Sequence, residues 1–227
     1  GTAFVRYAQT TRFPSINELT SRAILDGAGT VGTLASGASK PERNTNWEVG
    51  YAHDLTQFFP SLGFADMRIS YYNTEIEDFI DRGQYYDSIQ FDKKKSSGVE
   101  LQSRFDTGRV FGSLGATYRL NQKLCDKDYA SSLDPYYNRI PTCMTGGFPG
   151  TYSGNSLQPK YSIDLLLGTR LFNERLELGW RSVYHAGAEN SQLDDLLASE
   201  AGPSVTSVLA RDAWFRDGNQ DGLYWRT

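Results

Sequence analysis

The sequence of 227 residues contains no apolar run of about 18 residues, which excludes a membrane-spanning helix. That absence leaves strands untouched, because a strand crosses a bilayer in a short alternating segment. Histidine is scarce, with only His53 and His185, and cysteine equally so, with only Cys125 and Cys143. There is no Gly-x-Ser-x-Gly elbow, no phosphate-binding loop and no His-Glu-x-x-His pair. Scattered Ser, Asp and Glu lack the spacing of a catalytic set, so the sequence reads as a non-enzyme. A net charge of −4 argues against nucleic acid as a partner. The one short basic run, Lys93-Lys94-Lys95, reads as a solvated loop. No secretory leader pattern is visible. The chain opens within a strand-like stretch, Thr2–Tyr7, and closes within another, Leu223–Thr227, so a portion of a larger protein is expected.

Hydrophobic residues make up only 39% of the chain, yet aromatics reach 13%, with 14 Tyr, beside 22 Gly. The dominant pattern is alternation with a period of two. Met67, Ile69 and Tyr71 fall on one face, with Arg68, Ser70 and Tyr72 on the other. Val99, Leu101 and Phe105 oppose Glu100, Gln102 and Arg104. Leu114, Ala116 and Tyr118 oppose Ser113, Thr117 and Arg119. The same alternation runs through Trp47–Ala52, Tyr161–Leu171 and Leu176–Tyr184. A soluble β-sandwich also alternates, so the connections must help decide.

The connections alternate in length. Asp106–Arg109 and Phe172–Arg175 are short, and Thr56–Phe64 is intermediate; Thr11–Thr45, Ile80–Ser97, Asn121–Lys160 and His185–Gly222 are long. Long structureless loops are uncommon in compact soluble domains. Short turns at one end and long loops at the other belong to outer-membrane barrels. Aromatics such as Tyr7, Trp47, Tyr118, Tyr161 and Trp180 sit towards segment ends, as an interfacial girdle requires. The expected fold is all-β: about eight strands of an antiparallel transmembrane barrel, with short periplasmic turns and long extracellular loops.

Several segments resemble TonB-dependent outer-membrane receptors. They are Tyr7–Leu19 (YAQTTRFPSINEL), Lys40–Gly50 (KPERNTNWEVG), Tyr71–Ile80 (YYNTEIEDFI) and Ser97–Gln102 (SGVELQ). The resemblance implies a complete barrel of about 22 strands around a plug. Residues 1–227 would then be one partial barrel domain from the C-terminal side, with the plug domain absent. It further implies the outer membrane of a Gram-negative bacterium and an inner-membrane TonB energy-transducing partner. Leu157–Ser162, Leu165–Arg170 and Leu176–His185 resemble the haem and haemoglobin-type receptors of this family. Some of those carry a histidine between the segments matching Phe13-Pro14 and the next loop motif. Here no histidine lies between Pro14 and Pro41, so haem ligation from that loop is not implied.

His53 reads as structural, beside a short turn. His185 continues the inward register Gly179, Arg181, Val183, which places an imidazole at the extracellular mouth, where haem iron can be ligated. A hydrogen-bonding histidine at the base of a loop is the blander alternative. Asp217, Asn219 and Asp221, followed by Gly222, match the first half of a calcium loop, and are equally ordinary loop composition. Cys125 and Cys143 share a Pro/Gly/Tyr-rich stretch, which favours a disulfide in an oxidising compartment over two free thiols. Tyr85-Tyr86 and Tyr136-Tyr137 suit partner contacts or packing within their own loops. The sequence thus points to active uptake of haem, or of haem on a carrier protein, with no resident cofactor. The alternatives are another TonB-dependent receptor, for a ferric siderophore or a different nutrient, and a passive porin or barrel esterase.

Overall fold

The computed structural model describes residues 1–20, 38–59, 62–83, 88–133, 138, 140–148, 151–155, 158–187 and 222–226. Asp217, Asn219, Asp221 and both tyrosine pairs lie outside them.

Strands dominate: β1 (Thr2–Arg12), β2 (Glu42–Asp54), β3 (Phe64–Arg82), β4 (Ser88–Asp106), β5 (Val110–Cys125), β6 (Cys143–Thr145), β7 (Tyr161–Leu171), β8 (Leu176–His185) and β9 (Gly222–Arg226). Helices are short: α1 (Ile16–Thr20), α2 (Lys127–Leu133) and α3 (Tyr152–Asn155). Eight strands form one antiparallel path, β1-β2-β3-β4-β5-β7-β8-β9, while β6 pairs with β5 off that path. Within this chain the sheet is open, with β1 and β9 as its edges.

The register explains the alternation. Val5 faces Val49, Val49 faces Tyr71, and Tyr71 faces Val99. Val99 then faces Tyr118, Tyr118 faces Tyr161, and Ile163 lies opposite Tyr184. One face of the sheet is therefore predominantly apolar, interrupted by small polar residues such as Ser103 and Ser182. It is also bare: Val5 is 77% exposed, Leu178 52% and Trp180 41%. Tyr118 stacks on Tyr161, and Tyr184 packs against Tyr161 at a tilt, forming an aromatic row at the long-loop end. Trp47 packs on Tyr71 in the same row. His53 sits at the short-turn rim, stacked on Tyr51 and packed on Phe58, in a structural setting.

The opposite, inner face is polar and knit by charge. Arg68 binds Glu48 at 2.6 Å, Arg104 binds Asp66, Arg181 binds Asp164, and Arg170 reaches Asp106 at 2.9 Å. Exposed pairs of this kind contribute little each, but they disfavour a one-residue slip that would turn them outward. Aromatics lie across glycines here. A Cβ on Gly50 would run into the Phe4 ring, and one on Gly168 into the Phe111 ring. Arg68 and Arg170 then cover those two rings.

Two expectations change. The connection placed at Ile80–Ser97 is mostly strand, since β3 runs to Arg82 and β4 starts at Ser88. Lys93-Lys94-Lys95 is accordingly no solvated loop. Glu75 faces Lys95 and Glu77 faces Lys93, and the Lys93 ammonium lies 2.6 Å from Glu75. Opposite charges at matched positions hold this extension together without apolar alternation.

Candidate ligand-binding face

At the long-loop end the β5–β7 connection folds into a cap over the extended β3–β4 hairpin. The disulfide Cys125–Cys143 closes it, across the β5–β6 pair. A small core fills it: Phe91 is 1% exposed and Phe148 0%, and their rings stack at 5.9 Å. Tyr129 meets Phe91 edge-on, and Leu124, Ala130, Ile140 and Met144 complete the cluster. Asp126 precedes α2 and accepts from the Tyr129 N–H at 2.7 Å, which caps the helix. Its other oxygen accepts from the Asp92 N–H at 3.2 Å, tying cap to β4. The Ser153 N–H donates to Asp81 at 3.0 Å, tying α3 to β3.

A second junction lies where β1 ends. Ser15 and Glu18 form a reciprocal capping box on α1: the Ser15 N–H donates to Glu18 at 2.7 Å, and the Glu18 N–H to Ser15 Oγ at 3.3 Å. Arg12 joins Glu18 to Glu42.

The two junctions respond oppositely to acid. Burial pushes the Asp126 carboxyl above the usual range, with the Tyr129 N–H opposing and Asp92 and Asp128 adding. Its favourable contribution is full below the ordinary Asp value of about 3.9 and is lost as pH rises through the raised value. Burial alone would raise Glu18 too, but the Ser15 N–H and Arg12 outweigh it and hold that carboxyl low. Its contribution is present above the ordinary Glu value of about 4.3 and is lost as pH falls through the lowered one. Between pH 7 and pH 3, amide-exchange protection, corrected for intrinsic rate, is expected to rise at Ala130 and fall at Leu19. A change of the same sign at both would reject this assignment.

Two grooves line the inner face near this end. One is walled by Glu100, Thr117, Ser162, Asp164, Val183 and His185. His185 ends β8 and pairs with Ser162, so the structure places it on the inner face at the long-loop end. The other groove lies nearer the cap, and Tyr72, Phe79, Lys94, Arg119, Gln122 and Tyr152 help to form it. Glu100 borders both, so the two grooves are neighbours on the inner face. No group of three or more metal-ligating side chains occurs among the described residues. Alternation alone puts Tyr72 and Arg119 on the polar face and counts Phe79 among the segment-end aromatics of a girdle, whereas the structure brings all three, with Tyr152, into this groove. Tyr72 and Arg119 meet across Gly98, Phe79 comes from the β3 extension and Tyr152 from the cap.

A family model described as TonB dependent receptor-like, beta-barrel matches residues 1–217. The chain belongs to this family. Among curated proteins it is similar to the hemophilin receptor of Acinetobacter baumannii, 34% identical over 199 residues, covering 82% of this chain and 18% of that protein. It is also similar to a probable TonB-dependent receptor of Haemophilus influenzae, 25% identical over 213 residues, covering 85% of this chain and 22% of that protein. This TonB-dependent receptor chain thus spans about a fifth of the length of the curated relatives it matches. Among solved structures it is similar to the hemophore receptor HasR of Serratia marcescens, determined as a double mutant in complex with its hemophore HasA and heme. The TM-score is 0.50 at 18% identity, covering 82% of this chain and 30% of that chain, a likeness of fold alone.

Proposed function

We propose that this chain forms part of the outer-membrane barrel of a receptor that takes up haem, or haem held by a carrier protein. The observation that carries the reading is the 34% identity to a hemophilin receptor across most of the chain. The bare apolar face fits contact with lipid, and the charged inner face fits a watery, ligand-facing wall. The short-turn end is then periplasmic and the capped end extracellular. Energy comes from an inner-membrane TonB partner, as the family implies, and the chain performs no catalysis of its own.

Within this reading His185 is the candidate haem ligand. Its place at the mouth, in a groove open to the inner face, supports the role. Asp217, Asn219 and Asp221 are, by their spacing, the oxygen ligands proposed for calcium. Uptake of a ferric siderophore is the second reading, with the same architecture and no histidine ligand required.

Haem titration of the full-length receptor in detergent, followed by absorbance, tests the proposal. A Soret shift on binding, or capture of a haem-carrier protein, is expected. Neither occurring would overturn the haem reading. His185→Ala is expected to weaken haem binding by at least about tenfold. Unchanged affinity in that variant would remove His185 from the site and leave the receptor reading standing.

A further inference from the structure

The groove beneath the cap contains a cation in an unusual setting. Lys94 lies on β4 between Ile76 of β3 and Leu124 of β5, two apolar neighbours in register. Its ammonium lies 4.2 Å from the centre of the Phe79 ring and 3.5 Å from Ser153 Oγ. Among the described residues no carboxylate comes within ion-pair distance of it, whereas Lys93 and Lys95 on either side both pair with Glu75. The nearest acidic influences, Asp81 and Glu42, are committed elsewhere. Asp81 accepts from the Arg82 and Ser153 N–H groups, and Glu42 from Arg12 and the Ile80 N–H. Burial lowers the Lys94 pKa, and these two carboxylates only partly offset it.

A half-buried ammonium without a direct counter-ion is costly, and an incoming anion relieves that cost. A second cation stands on the same wall. Among the described residues Arg119 gives one side-chain N–H, to the Pro159 carbonyl at 2.8 Å, out of the five that a guanidinium carries. It pairs with Gly98, four residues down β4 from Lys94, on the order of 13 Å along the strand. Tyr72, Phe79 and Tyr152 supply aromatic surface in the same groove. Two carboxylates line the groove: Asp81, held by the Arg82 and Ser153 N–H groups, and Glu100 at the lower end, six residues from Lys94, on the order of 20 Å away.

We propose that Lys94 and Arg119 form a docking subsite for the carboxylates of a flat, largely apolar ligand, held under the cap before it reaches the level of His185. This deepens the haem reading, since haem carries two carboxylates on an aromatic disc, and it rests on that reading for the identity of the natural ligand. The chemistry itself needs no iron, so it can be tested apart from ligation.

The test uses the full-length receptor in detergent with three probes: protoporphyrin IX, its dimethyl ester and haem. Binding of protoporphyrin IX is expected to be about tenfold or more tighter than that of the ester, the scale of a lost charged hydrogen bond. Lys94→Met and Arg119→Gln are each expected to weaken protoporphyrin IX and leave the ester unchanged. Lys40→Met, at a lysine paired with Asp78, is expected to behave as wild type. The subsite is overturned if protoporphyrin IX does not bind, if esterification makes no difference, or if both variants retain full discrimination. Retained discrimination with no Soret shift and no carrier capture would instead overturn haem uptake and keep the subsite.

Discussion

Leu165→Arg is expected to destabilise the folded receptor in lipid vesicles by about 2–4 kcal/mol, the range for a cation on the lipid face near mid-depth. Leu165 faces Leu114 on one side and Ser182 on the other, midway between the aromatic row at Tyr161 and the short turn after Leu171. In lipid an arginine there would lack water, and the residues paired with it, Leu114 and Ser182, offer no carboxylate. Thr117→Arg is the matched control. Thr117 lies on the inner face opposite Glu100 and Ser162, so the new cation meets solvent and a carboxylate. Its expected cost is below about 0.5 kcal/mol, as for an ordinary surface change. Urea unfolding followed by tryptophan fluorescence separates the two. Equal losses would mean that the apolar face does not meet hydrocarbon.

Phe91→Ala is expected to loosen the cap by about 3–5 kcal/mol and leave the barrel's unfolding midpoint in place. The ring is enclosed by Phe148, Tyr129, Leu124 and Met144, which cannot collapse into the space because β4, β5 and the disulfide fix their backbones. The loss is local, since the cap stays tied to the sheet by the β5–β6 pair, the disulfide, the Gly83–Thr151 bridge and the hydrogen bonds at Asp126 and Asp81. Proteolysis of the folded receptor reads it out. Cleavage between Cys125 and Cys143 should accelerate strongly in the variant, with the fragments still joined until reductant is added. An unchanged cleavage rate would show that this cluster does not hold the cap.

The alternation was legible because one face must stay apolar along every strand, so each segment carries its own signal. Met67, Ile69 and Tyr71 already declare a face before Leu101 or Val99 is known. The β3–β4 extension was not legible for the converse reason. Glu75 and Glu77 gain meaning only opposite Lys95 and Lys93, and a strand held by cross-strand charge looks locally like a polar loop. The cap was hidden in the same way, its core drawn from Phe91, Leu124 and Phe148, which share no period. Within the candidate site, the inward register of His185 was readable from β8 alone. The isolation of Lys94 was not, because it depends on where the neighbouring carboxylates find their own partners.

A membrane barrel requires the face carrying Tyr161, Ile163, Leu165 and Leu167 to meet lipid. Single cysteines placed at residues 161 to 167 of β7 in the full-length receptor, in vesicles carrying nitroxide-labelled lipid, test it most directly. Probes at positions 161, 163, 165 and 167 should be quenched by the lipid, while 162, 164 and 166 should react instead with a water-soluble thiol reagent. Uniform access from water along the strand, or quenching without alternation, would contradict the account.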